Sequence, residues 1–302
     1  MKRIRWRLEY ALVRGTLWLA RLASWGTARR MGAALGHLFY LFDARHRRVA
    51  LANVAAAFPH RPQAEQRAIV RGVFVHFGRL LFELMKFCAL SREDMLARVE
   101  WEGTERAEAA YANGKGVLFF TGHFGYWEMQ ALAHAAQSHR RIGVLARALD
   151  NPHLHGLIEQ IRGCTGNFSI YRRGAIRRVL RALQENEAVA ILIDQHIQRP
   201  DAVTVNFFDR PASTTMALAI LARRTGAAVL PVFALPAGPG RYRMVFERPV
   251  EPPADDSPEA LLDFTQRCTD VLEMYVRRHP ELWLWMHRRW RDDEDGADRV
   301  DP

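Results

Sequence analysis

The chain reads as an α/β fold in which a mixed, largely parallel central sheet is flanked by helices and preceded by a helical N-terminal region. Two observations predict it. Between residues 98 and about 251, short apolar runs rich in β-branched and aromatic residues (117–121, 142–146, 188–194 and 228–234) alternate with stretches of helical composition. Ahead of them, residues 1–97 are helical in pattern nearly throughout, with Phe74, Phe77, Leu80, Leu81, Leu84 and Met85 on one apolar stripe. Strand–helix alternation implies crossover connections, and these favour parallel neighbours.

The first helix sets the relation to membranes. Residues 8–23 are rich in Leu, Ala, Trp and Val, but Arg14 and Arg21 interrupt them. Each central arginine costs about 2.5–3.5 kcal/mol on insertion, which disfavours a spanning helix. Arg7, Arg14 and Arg21 recur every seven residues with Arg3 one turn earlier, forming a cationic stripe. Such a helix is expected to lie in an anionic membrane interface, the alternative being an amphipathic helix packed on its own domain. No small-residue cleavage site follows, so no removable signal peptide is expected and the protein would face the cytoplasm.

The run from Val117 to Glu128 carries the chemistry. Gly116 and Gly122 bound an apolar strand, His123 stands just past its end, Gly125 permits a tight turn, and a helix begins near Tyr126. Residues five apart on one continuous helix do not share a face, so His123 and Glu128 meet only across such a turn. Glu128 would then accept a hydrogen bond from one imidazole nitrogen and aim the other at a hydroxyl proton. The spacing alone equally admits a solvent-facing histidine beside an unrelated glutamate.

Further residues join as candidates. Arg147 follows a strand and suits a phosphate or a developing oxyanion, or simply the surface. Arg172 and Arg173 precede Gly174 and a helix from about 175, which suits an anion, or a solvated basic turn. Asp194 and Gln195 end a strand, where α/β sheets collect functional groups, though Asp194 would also serve as a cap. Phe207 and Phe208 would line a hydrocarbon slot or pack the core, and Ser213 and Thr214 would cap a helix at 216–224. Residues 253–257 introduce a helix to about 278. Trp283, Trp285 and Trp290 among His287, Arg288 and Arg289 suggest an aromatic–basic surface, or a packed terminal element.

Composition bounds the partners. The 302-residue chain is 49% hydrophobic and carries a formal net charge of +10. Residues 292–302 hold six acids against one arginine, leaving +15 on the body and an acidic tail expected to be disordered. A basic body favours an anionic partner: nucleic acid, an anionic membrane or an acidic protein. The sequence holds no zinc-type Cys/His spacing, Walker loop or RNA-binding signature, so no nucleic acid and no metal are expected. Three isolated cysteines argue against a disulfide framework. The expected organisation is a helical region at 1–97, an α/β core with C-terminal helices at 98–291 forming one unit with it, and the tail at 292–302.

The motifs, taken in order, resemble one family. Gly122-His-Phe-Gly-x-Trp-Glu128 is similar to the His-x-x-x-x-(Asp/Glu) motif of glycerolipid acyltransferases. Arg48 to Asn53, Ala57-Phe58-Pro59, Ala146-Arg147 with Asn151-Pro152, Asp194-Gln195, Asn206-Phe207-Phe208 and Pro280 to Trp290 resemble successive blocks of the lipid A late (lauroyl/myristoyl) acyltransferases. This resemblance implies acyl transfer from acyl-acyl carrier protein to a hydroxyl of a glycolipid lipid A precursor at the cytoplasmic face of a bacterial inner membrane. It implies His123 as general base, Glu128 orienting it, Arg147 stabilising charge, and no organic cofactor. Alternatives are another acceptor (a phosphoinositide mannoside, lysophospholipid or aminolipid), acyl-CoA as donor, a hydrolase, or a non-catalytic membrane-surface protein. No Gly-x-Ser-x-Gly elbow supplies a serine nucleophile. Asn206 stands where many relatives place proline, so the loop before it is expected to bear on acceptor choice.

Overall fold

A computed structural model describes residues 2–171, 174–198 and 202–290. Helices α1 (Lys2–Leu22), α2 (Trp25–Phe42), α3 (Ala44–Ala57), α4 (Gln63–Phe87) and α5 (Arg92–Leu96) come first. The alternating region follows with β1 (Val99–Glu102), α6 (Thr104–Ala112), β2 (Val117–Thr121), α7 (Trp127–Ser138), β3 (Ile142–Ala146), α8 (Pro152–Gly163), β4 (Phe168–Tyr171), α9 (Ala175–Gln184) and β5 (Ala188–Leu192). A hairpin of β6 (Ala202–Asn206) and β7 (Pro211–Thr215) leads to α10 (Ala217–Thr225), β8 (Ala228–Pro236), β9 (Tyr242–Phe246), α11 (Pro258–Arg278) and a 3₁₀ turn at Pro280–Leu282.

Among the described residues seven strands form one sheet in the order β1–β9–β8–β2–β5–β3–β4, with every neighbouring pair parallel except β8 and β9. This is the mixed, largely parallel sheet predicted above. The four strands read from the sequence are β2, β3, β5 and β8. The short β1 and β4 and the partly exposed β9 and hairpin lack the long apolar runs that mark a doubly buried strand.

Strand β2 lies inside the sheet, buried along its whole length. Its side chains alternate between two faces. Leu118 and Phe120 join a core shared with Val54 of α3, Val73 and Phe74 of α4, Leu272 of α11 and Trp283. Val117 and Phe119 join a second core with Met85 and Phe87 of α4 and Met129 and Leu132 of α7. Helix α4 thus contributes to both. Helix α2 crosses it backbone to backbone: a Cβ on Gly36 would lie 2.2 Å from the Phe74 carbonyl oxygen.

Helix α1 buries Leu17 and Ala20 and exposes Ile4, Leu8, Leu12, Trp18, Leu19 and Leu22. Its first half is tied to the body by the Asn151 side-chain amide, which donates to the Trp6 carbonyl and the Glu9 carboxylate. No described helix is long and apolar enough to cross a membrane. Arg172, Arg173 and the acidic tail lie outside the described residues.

Of the two readings of the C-terminal segment, the structure shows the packed terminal element and not the aromatic–basic surface. Trp283 and Trp285 are fully buried, and Arg289 is 1% exposed, donating to the Ser213 carbonyl and the Thr214 hydroxyl. Burial draws the Arg289 pKa down to about 10, with Asp194 opposing the shift. Apolar demand explains this: three large rings in eight residues are more stable packed inside than spread on a surface.

Candidate active site

Parallel strands β2 and β5 pair with Thr121 opposite Leu192, and the Ile193 amide donates to the Thr121 carbonyl at 3.0 Å. Their carboxyl ends therefore emerge side by side, and each delivers a polar residue two positions later: His123 and Asp194. Asp194 Oδ1 accepts from His123 Nδ1 at 2.9 Å. Its Oδ2 accepts from the His123 backbone amide at 2.6 Å and from Trp283 Nε1 at 2.8 Å. Gly122 makes room for this, since a Cβ there would sit 2.9 Å from Asp194 Oδ2. Gly125 turns the chain at φ +57°, and a Cβ there would lie 2.1 Å from the Ala234 carbonyl oxygen.

The loop is fastened on every side. Leu284 N donates to His123 O at 3.1 Å and Gly125 N to Leu282 O at 2.9 Å, while buried His76 of α4 bonds the Gly125 carbonyl through Nε2 at 3.0 Å.

Electrostatics shift both groups. Burial alone would raise the Asp194 carboxyl. The adjacent His123 charge and three hydrogen bonds from His123 and Trp283 pull it instead to about 2. Burial pushes the His123 imidazole down, but the Asp194 charge and hydrogen bond overcome this. With Glu128 adding in the same direction and Arg162 opposing, the net shift is upward from 6.5. An ionised Asp194 accepts from Nδ1–H, so neutral His123 carries its lone pair on Nε2, the state a general base needs. The ring of Trp127 lies edge-on to the imidazole with centroids 5.4 Å apart.

Glu128 stands elsewhere than the motif predicts. Arg162 of α8 grips its carboxylate with Nη2 at 2.5 Å and Nε at 3.0 Å, and both side chains are 13% exposed. The position of Asp194 on Nδ1 corrects the expectation that Glu128 orients the histidine. The cause is steric and electrostatic: Glu128 leaves the first turn of α7 toward α8, where a largely buried carboxylate requires a cation. Its charge still acts on His123, now as half of an ion pair.

A profile of the bacterial lipid A biosynthesis acyltransferase family matches residues 3–292. The chain belongs to that family. A lipid A biosynthesis lauroyltransferase of Escherichia coli (strain K12) is 27% identical over 286 residues, covering 94% of this chain and 91% of its own. A lipid A biosynthesis myristoyltransferase of the same strain is 26% identical over 84% of this chain and 78% of its own. A phosphatidylinositol mannoside acyltransferase of Mycobacterium tuberculosis (strain ATCC 25618 / H37Rv) is 24% identical over 80% and 76%.

The remaining predicted positions of this acyltransferase divide. Arg147 follows the carboxyl end of β3, 88% exposed and 3.7 Å from Asp150. Gln195 is exposed beside buried Asp194. Phe207 and Phe208 are buried core residues. Phe207 meets Trp283 with centroids 5.3 Å apart, and Phe208 sits between Phe58 at 5.3 Å and Trp285 at 5.6 Å. Thr214 is buried within β7 as the partner of Arg289, and the amide of Ala217 at the start of α10 is met by Thr215 Oγ1 at 3.0 Å. The motif residue Asn53 donates to the carbonyls of Trp285 and His287, both at 2.8 Å, which ties α3 to the C-terminal segment. Sequence reasoning missed Arg162 and Trp283. Arg162 had one signal, a charge set directly after the buried-face residue Ile161 of an amphipathic helix.

Proposed function

We propose that this enzyme moves a fatty acyl chain from acyl-acyl carrier protein to a hydroxyl of a lipid A precursor, with His123 as general base and Asp194 as its orienting carboxylate. The observation that carries it is the 2.9 Å contact between His123 Nδ1 and Asp194 Oδ1. In the reaction His123 Nε2 takes the acceptor hydroxyl proton as the oxygen attacks the thioester carbonyl carbon. The tetrahedral intermediate collapses, the C–S bond breaks, and the imidazolium returns its proton to the departing thiolate. Asp194 holds the tautomer and balances the transient positive charge. No covalent acyl-enzyme is required.

Glu128 and Arg162 form a neutral pair beside the base, limiting water access and holding α7 against α8. Exposed Arg147, at the same carboxyl edge of the sheet, is available to a substrate phosphate. The apolar face of α1 and its arginines suit the cytoplasmic surface of an anionic inner membrane.

Mass spectrometry of products from acyl-acyl carrier proteins and a Kdo-bearing tetraacyl lipid A precursor tests this, with His123→Ala alongside. One added chain, lost in the variant, is the expected result; absence of that product from folded wild-type enzyme rejects the acceptor or the donor. The mannoside acyltransferase relative supports a second reading with a mannosylated phosphoinositide acceptor, tested by the same assay with that lipid.

A further inference from the structure

Between α2, α4 and the C-terminal segment lies an apolar groove of about 460 Å³, within the ~300–1,000 Å³ of small-molecule sites. Its walls are Leu35, Phe39, Phe77, Leu81, Leu284 and Met286. The inner end touches the catalytic loop. The Leu284 amide bonds the His123 carbonyl, and Phe77 packs on Trp127 at 5.6 Å, the same ring that borders the imidazole. His287, also on the wall, accepts at Nε2 from the backbone amide of His196, two residues beyond Asp194.

The outer end opens at the end of α2, where Leu38, Phe39, Leu41 and Phe42 are 51%, 54%, 63% and 82% exposed. Immediately beyond, α3 begins with exposed Arg45, His46 and Arg48. Asp43 is the opposing charge there: it caps α3 through the His46 amide at 3.1 Å and pairs with the His46 ring at 2.6 Å. A hydrocarbon-sized trough that starts in an exposed apolar rim, passes a basic helix start and ends at residues packed on the His123 loop has the polarity of a phosphate-bearing membrane lipid laid along it.

We propose that this groove holds one acyl chain of the lipid acceptor, with Arg45 and Arg48 meeting its phosphate headgroup. The assignment rests on the lipid-acceptor reading above. It favours acceptor over donor because the apolar rim admits a lipid laterally from a bilayer, whereas the donor thioester arrives on a soluble carrier.

Two measurements on the full-length enzyme test it. The first photolyses a tetraacyl glucosamine-disaccharide bisphosphate with a diazirine at one chain end, without donor, and maps adducts by mass spectrometry. Adducts at residues 35–39, 74–81 and 284–287 are expected; adducts confined elsewhere overturn the proposal. Labelling of equal yield by a phosphate-free diazirine diacylglycerol overturns the headgroup contact. The second compares KM values for Leu35→Trp and Leu81→Trp, which narrow the trough, each checked for folding by circular dichroism. Acceptor KM is expected to rise about tenfold and donor KM by less than about threefold; the reverse pattern overturns the proposal. If the wild type transfers no chain to the glycolipid, the function proposed above fails, and the photolabelling still decides whether a phosphate lipid occupies the groove.

Discussion

Asp194 and His123 are 71 residues apart in sequence and bonded side chain to side chain at 2.9 Å, with the same carboxylate also taking the histidine's own backbone amide. One acid therefore fixes both the position and the tautomer of the imidazole. The pairing arises from adjacent parallel strand ends and owes nothing to the five-residue spacing of the motif.

Asp194→Asn is expected to lower kcat by roughly 10³–10⁴ with little change in KM, because the amide favours the wrong imidazole tautomer. The base must be neutral, so kcat/KM falls as pH drops through the pKa of His123, which stands above 6.5 in the folded enzyme. Removing the Asp194 charge moves that acid limb to lower pH. A pH–rate profile decides it: an unmoved limb, or an equal shift in Glu128→Gln, would sink Asp194 as the orienting group.

The Glu128–Arg162 pair predicts a strong coupling. Breaking a buried pair from one side costs up to about 3–5 kcal/mol; at 13% exposure, Glu128→Gln or Arg162→Met is expected to cost about 1–3 kcal/mol. The double variant should lose less than the sum. A denaturant double-mutant cycle showing simple additivity would mean that the pair contributes little.

Phe207→Ala and Phe208→Ala are each expected to cost about 3–5 kcal/mol and to leave the product's chain length unchanged, because both rings are buried among Phe58, Trp283, Trp285 and Trp290. A shifted acyl length from a variant of near-native melting temperature would restore them to a substrate slot.

Two histidines make the fold acid-sensitive. Burial depresses His76 to about 4 and His134 to about 3. Both are neutral when folded and take up a proton on unfolding below about 6.5. Their contribution is thus fully present above that pH and is lost as pH falls toward 4, by about 1.4 kcal/mol per unit for each. Urea unfolding from pH 7 to 4.5 should show this slope, reduced in His134→Leu; an identical slope in the variant would count against it.

Much of this was legible in the sequence. The strand ending at Thr121 and the run ending at Asp194 both show as apolar stretches, which put His123 and Asp194 at strand ends. Their adjacency was not legible, because strand order is set by crossover packing and β2 lies between β5 and β8. Glu128 misled for a local reason: motif spacing reports which residues share a turn, whereas the partner of a buried carboxylate is chosen by whatever cation the next helix brings. Phe207 and Phe208 were ambiguous because an apolar pair carries no mark of whether it faces ligand or core.

The segment from Pro280 to Trp285 closes the site from far along the chain, binding the His123 loop through Leu282 and Leu284 and capping Asp194 with Trp283. During synthesis the histidine leaves the ribosome about 160 residues before the indole that completes its carboxylate partner. With His123 as the proposed base, catalytic competence would be tied to near-completion of translation: a chain stopped after Arg278 would possess all seven strands of the sheet and an unlatched His123 loop. Prematurely terminated products are expected to be inert bystanders, unable to modify lipid before quality control removes them.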